Sequence, residues 1–130
     1  VIGPLNLRSR DVVVVILRLR LVDGEKVGVE YWYAPSRLVP GLKVEDFAET
    51  GEAQSTYHVL RAKYAIAVRK AYDTTSPVTL ELHEADLLGV EEFTPALLRT
   101  RVSYTDLDLP VCYSSGVFVT TITTVHEADR

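Results

Sequence analysis

Asp11-Val-Val-Val-Val-Ile-Leu-Arg-Leu-Arg-Leu-Val22 decides the fold class, because its two halves imply different surroundings. From Ile16 to Val22 the pattern alternates, with Leu17, Leu19 and Leu21 facing one way and Arg18 and Arg20 the other. Period two is the signature of a strand with one dry and one wet face, so the leucines are expected to be buried and the arginines solvated. Val12 to Ile16 is apolar throughout, and four successive β-branched valines favour an extended backbone over a helix. An antiparallel sheet normally leaves one face wet, so this run predicts that something covers the second face at the strand's start.

Working outward, Asp23-Gly24 is a strong hairpin signal, and Val27 to Tyr33 reads as the return strand. Residues 35–43 carry two prolines and a glycine and form a loop; Val44 to Glu52 has the pattern of one short helix. Ser55 to Tyr72 fits two templates. Leu60, Ala62, Tyr64, Ile66 and Val68 alternate as in a strand, whereas Tyr57, Leu60, Tyr64, Ala67 and Ala71 fall near a helical stripe. Alternation is the cleaner match, so a long strand is expected. Asp73 to Pro77 reads as a turn, Val78 to His83 as a strand, and Glu84 to Thr94 as an acidic connection. Ala96 to Tyr104 alternates again, residues 105–110 turn the chain, and Val111 to Val125 is the last strand, with Gly116 a bulge candidate. Six strand-like runs with at most one or two short helices predict an all-β chain: an antiparallel, jelly-roll-like β-sandwich forming one domain over residues 1–130.

Composition narrows the function classes. At 130 residues with 47% apolar and 25% charged side chains, the chain has the make-up of a single globular domain. A net charge of −4 argues against a nucleic-acid surface, which needs a concentrated basic face. Arg8, Arg10, Arg18 and Arg20 do cluster, but Arg18 and Arg20 read as the wet side of a strand. No apolar run is long enough to span a bilayer. Asn6 and Gln54 are the only side-chain amides and methionine is absent, the composition expected of a protein from a very hot environment. A start at Val1 without methionine is what removal of a secretion signal leaves, although an engineered start leaves it too.

Chemistry-bearing motifs are few. There is no Gly-x-Ser-x-Gly elbow and no phosphate-binding glycine loop, and His58, His83 and His126 lack metal-ligand spacing. Cys112, alone in a strand-like run, reads as a buried inert thiol. No enzyme is expected. Asp106-Leu-Asp108 is the best small-ion candidate, since alternate carboxylates at a turn can converge on Ca²⁺. Against it, aspartates make turns everywhere. Tyr31, Trp32 and Tyr33 place aromatics on both faces of the second strand, suited to a sugar, a protein contact or a covered core.

The Met-less start Val1-Ile-Gly-Pro-Leu-Asn-Leu7, the two-sided apolar run Val12 to Ile16 and the Thr/Val-rich end Val117 to Val125 together resemble secreted archaeal filament and tube subunits that polymerise by donating a strand, such as cannula-like tubes and TasA-like bundling pili. The resemblance implies an extracellular homopolymer of identical subunits, with residues 1–10 as donor segment. Its subunit contacts would be Val1, Ile2, Leu5, Leu7, Val12, Val14, Ile16 and Trp32, and Asp106 and Asp108 would hold calcium between subunits. Two other readings stay open: a β-barrel binding a small ligand or carbohydrate through Tyr31, Trp32 and Tyr33, and a viral tail-tube or capsid-type subunit.

Overall fold

A computed structural model describes Leu5 and residues 12–47 and 56–119 of the chain. Strand β1 (Val13–Val22) turns into β2 (Glu25–Pro35) through Asp23 and Gly24, whose φ values of 50° and 79° are the paired left-handed conformations of a tight hairpin. Two 3-10 turns, Ser36–Leu38 and Val44–Asp46, lead to helix α1 (Thr56–Tyr64). Then follow β3 (Lys70–Thr79), helix α2 (Leu82–Leu88), β4 (Pro95–Tyr104) and β5 (Pro110–Phe118). All five strands lie in one sheet of order β1-β2-β5-β4-β3, with antiparallel neighbours throughout.

The β-rich, antiparallel expectation therefore holds, but the described strands form no second sheet to make a jelly-roll sandwich. Helices cover the sheet instead, one on each face and at opposite ends. On one face, Leu60 of α1 packs with Ile16, Trp32, Ala34, Val39, Val111 and Cys112. On the other, Ala85 and Leu88 of α2 pack with Val29, Leu80, Ala96 and Val117. Burying a leucine such as Leu60 contributes about 2 kcal/mol, enough to hold a helix of this length that would not persist alone.

Residues 55–72 contain a helix and not the long strand expected. Val59 and Leu60 bury one helical stripe, and the helix ends at Ala65, left-handed at φ 56°, whose amide donates to the Arg61 carbonyl while that of Ile66 donates to the Leu60 carbonyl. Pro77, read as part of a turn, lies within β3, where it is tolerated because β3 is a sheet edge. The strand expected over Val78 to His83 stops at Thr79, and α2 begins at Leu82, with the Glu84 carboxylate accepting from the Glu81 amide at 3.0 Å. Gly116 is no bulge. It pairs in register with Glu30 and Arg99, and a Cβ there would come within 3.1 Å of the Val29 carbonyl.

The opening strand is inverted relative to its reading. Val15, Leu17, Leu19 and Leu21 are exposed, while Ile16, Arg18 and Arg20 turn toward the α1 face. Alternation specifies that two faces differ, but which one is inner depends on what the neighbouring strand offers. Here β2 offers a buried carboxylate.

Candidate functional site

The α1 face of the sheet changes character along the strands. Below, it is the apolar cluster just described. Above, the cross-strand rows Ile16–Trp32–Ser114–Arg101–Asp73, Arg18–Glu30–Gly116–Arg99–Thr75 and Arg20–Gly28–Phe118–Leu97–Pro77 put four arginines on one surface. Arg18 and Arg20 come from one Arg-x-Arg pair, Arg99 and Arg101 from another; spacing by two in a strand places both members on the same side.

Glu30 is 4% exposed and accepts from two of these groups, Arg20 at 3.3 Å through Oε1 and Arg99 at 3.1 Å through Oε2. Arg101 is held separately by a two-pronged bond to Asp73 on β3, at 2.6 and 2.8 Å. That bond raises the Arg101 pKa and lowers that of Asp73, each acting as the other's main cause. Arg18 is half-buried, with its guanidinium 5.6 Å above the Phe47 ring. Burial, and then the charge of Arg20, pull its pKa down, with Glu30 opposing. Two guanidinium groups thus share one buried carboxylate, with Arg18 beside Arg20 on the same face.

Two glycines shape this surface. A Cβ at Gly28 would meet the Phe118 ring, coming within 2.7 Å of Cε1, and one at Gly116 would reach Phe118 Cε2 at 3.0 Å. Phe118 therefore lies over a glycine floor, and the Arg99 guanidinium sits 4.9 Å from its ring centroid. From below, Tyr57 on α1 reaches Ser103 on β4, hydroxyl to hydroxyl at 2.7 Å, and comes close enough to Arg101 to influence its charge. The arrangement can bind and orient an anion. Among the described residues it holds no nucleophile–base pair.

The residues singled out from sequence have other fates. Leu5, Ile16 and Trp32 are buried in the chain's own core and Val14 packs against it, so they are not surfaces awaiting another subunit. Val12 is 66% exposed. Val1, Ile2 and Leu7, with most of the expected donor segment, lie outside the described residues. Trp32 is unavailable to a ligand, and Tyr31 and Tyr33 belong to the opposite face, where Tyr33 packs on Tyr113 with ring centroids 5.8 Å apart. Asp106 and Asp108 sit in the β4–β5 turn, with Asp108 ion-paired to Lys70. Among the described residues no three His, Cys, Asp or Glu side chains converge as a metal site. Cys112 is buried, and burial pushes its thiol pKa up. No helix of the described residues is long and apolar enough to cross a membrane.

The sheet-face cluster was missed because each arginine pair, taken alone, looks like an ordinary solvated face. Its signal is the recurrence of Arg-x-Arg in two strands with Glu30 between them.

A single antiparallel sheet thus carries one helix on each face and a charged surface on one of them. Residues 1–123 match the family model of the UTRA domain, and the chain belongs to that family. It is 32% identical over 94 residues to the HTH-type transcriptional repressor PhnF of Mycolicibacterium smegmatis, covering 72% of this chain and 36% of that protein. It is 29% identical over 114 residues to the HTH-type transcriptional regulator GmuR of Bacillus subtilis, covering 88% of this chain and 46% of that protein. The crystal structure of the PhnF effector domain superposes with a TM-score of 0.81 at 30% identity, covering 98% of this chain and 77% of that one. The chain thus spans less than half the length of these two curated relatives.

These findings overturn the filament reading. The likeness to archaeal strand-donating subunits, the homopolymer of identical subunits and the extracellular, secreted location all give way to kinship with transcriptional regulators. The expectation that nucleic acid plays no part is overturned as well, since the relatives are HTH-type regulators. Net charge speaks only about the surface of these 130 residues. The expectation that the chain is not an enzyme agrees with this kinship to transcriptional regulators.

Proposed function

We propose that this chain is the effector-binding domain of a DNA-binding transcriptional regulator, and that a small anionic molecule binds on the upper sheet face among Arg18, Arg20 and Arg99. The observation that carries the reading is the meeting of cations at Glu30: Arg20 and Arg99 both bond to one buried carboxylate, and Arg20 repels Arg18 on the same face. An anion relieves that repulsion in a partly desolvated place, where charge-assisted bonds are strong. The relatives named as regulators, and the effector domain named among the structures, support a regulatory purpose. Residues 1–130 then act as one folding unit of a longer regulator, and ligand occupancy shifts the balance between its DNA-binding and released states.

Calorimetric titration with small phosphorylated and carboxylated compounds tests this. The expected result is saturable binding that weakens at least tenfold in both Arg18→Ala and Arg99→Ala, an effect of the size expected for a charge-assisted contact. Ligands that bind equally well to both variants would place the effector elsewhere.

A further inference from the structure

We infer that the cleft between α1 and residues 66–69 is a second anion site, separate from the sheet face, that takes a phosphate-bearing small molecule. Along α1, Tyr57, His58 and Arg61 share one face, three and four residues apart. After the left-handed turn at Ala65 the chain doubles back, so residues 66–69 run beside that face, and the amide of Arg69 donates to the Tyr104 carbonyl at 2.8 Å, anchoring this segment to β4. The cleft enclosed is about 400 Å³, lined by Tyr57, His58, Arg61, Arg69 and the stretch Ile66 to Val68. That volume is within the range of small-molecule sites.

Among the described residues the lining contains two arginines and a histidine and no carboxylate, although the chain has 18 acidic residues against 14 basic ones. Among the described residues neither Arg61 nor Arg69 has a carboxylate partner, unlike Arg20, Arg99 and Arg101 on the sheet. Two guanidinium forks, one on a helix and one on an extended segment, approach the cleft from different elements. A single fork saturates a planar carboxylate, whereas a tetrahedral phosphate presents oxygens to both. Half-buried Ile66 and Val68 supply an apolar wall for the carbon body of the ligand. Tyr57 lines the cleft and also bonds to Ser103 below the charged sheet face, so the two sites share a wall.

The test is an NMR titration of the 130-residue chain with inorganic phosphate, with chloride at matched ionic strength as the control. Saturable shifts at the Arg61 and Arg69 Nε–H groups and the His58 ring are expected with phosphate alone. The Arg61→Ala/Arg69→Ala variant should bind phosphate at least tenfold more weakly there. Both side chains are exposed, so its melting temperature should match the parent. Arg61→Lys/Arg69→Lys keeps the charge and loses the forks, and should bind at an intermediate level. Arg18→Ala should leave these shifts intact, which separates this site from the sheet-face site whether or not the latter binds its effector. Non-saturating shifts, shifts equal in chloride, or shifts abolished by Arg18→Ala and untouched by the Arg61/Arg69 variant would each overturn the inference.

Discussion

Replacing Glu30 with glutamine keeps the side chain's shape and removes its charge, leaving Arg20 and Arg99 without their shared countercharge. Breaking a fully buried ion pair by removing one partner costs about 3–5 kcal/mol. The arginine side chains here are about a third exposed, 37% for Arg20 and 32% for Arg99, so water screens part of the repulsion. A loss of about 2–3 kcal/mol is the reasoned magnitude, roughly 10 °C in melting temperature for a domain this size. Thermal unfolding followed by circular dichroism measures it directly. Sulfate or phosphate should then restore more stability to Glu30→Gln than to the parent, because a dissolved anion can take up the uncompensated charge. Chloride at the same ionic strength should restore less. A variant as stable as the parent, or one indifferent to the choice of anion, would refute the picture of Glu30 as the shared countercharge.

Other outcomes follow from the same geometry. Ala65→Gly should raise stability by about 0.5–1 kcal/mol in chemical denaturation, because an L-residue pays to adopt the left-handed turn that glycine adopts freely. Gly28→Ala should drive Phe118 off its floor, costing about 1–3 kcal/mol and weakening anion binding by disturbing Arg99; unchanged melting would show that the ring relocates freely. The Asp73 pKa is lowered in the folded state, so its contribution is fully present above its ordinary value of 3.8 and is lost as pH falls through the depressed folded value. Asp73→Asn should therefore flatten the acid limb of the stability profile and leave neutral and alkaline limbs unaltered in shape. Cys112, buried with its pKa raised, should resist alkylation by iodoacetamide in the native chain and react promptly once the chain is unfolded.

Strands and turns with strictly local causes were legible from the chain. The Asp23-Gly24 hairpin needs only two residues that accept positive φ, and β1, β2 and β4 announce themselves through alternation. Residues 57–72 were not legible, because apolar residues there satisfy periods of both two and 3.6. Only the apolar cluster around Trp32, which accepts Leu60 from a helix, separates the two. The filament reading failed for a related reason: Val12 to Ile16 shows that apolar surface needs cover, not what supplies it.

By itself, the sequence determined that the chain is rich in antiparallel strands, where its first hairpin turns, and that it carries no catalytic motif, since these depend on residues near one another in the chain. The tertiary structure alone decided which face of β1 points inward and that Arg18, Arg20, Arg99 and Arg101 meet on one surface, Arg20 and Arg99 on Glu30 and Arg101 on Asp73. Charges up to 83 residues apart, from Arg18 to Arg101, become neighbours only through strand order and register. Alternation is symmetric between a sheet's two faces, and only partners brought in from distant strands break that symmetry.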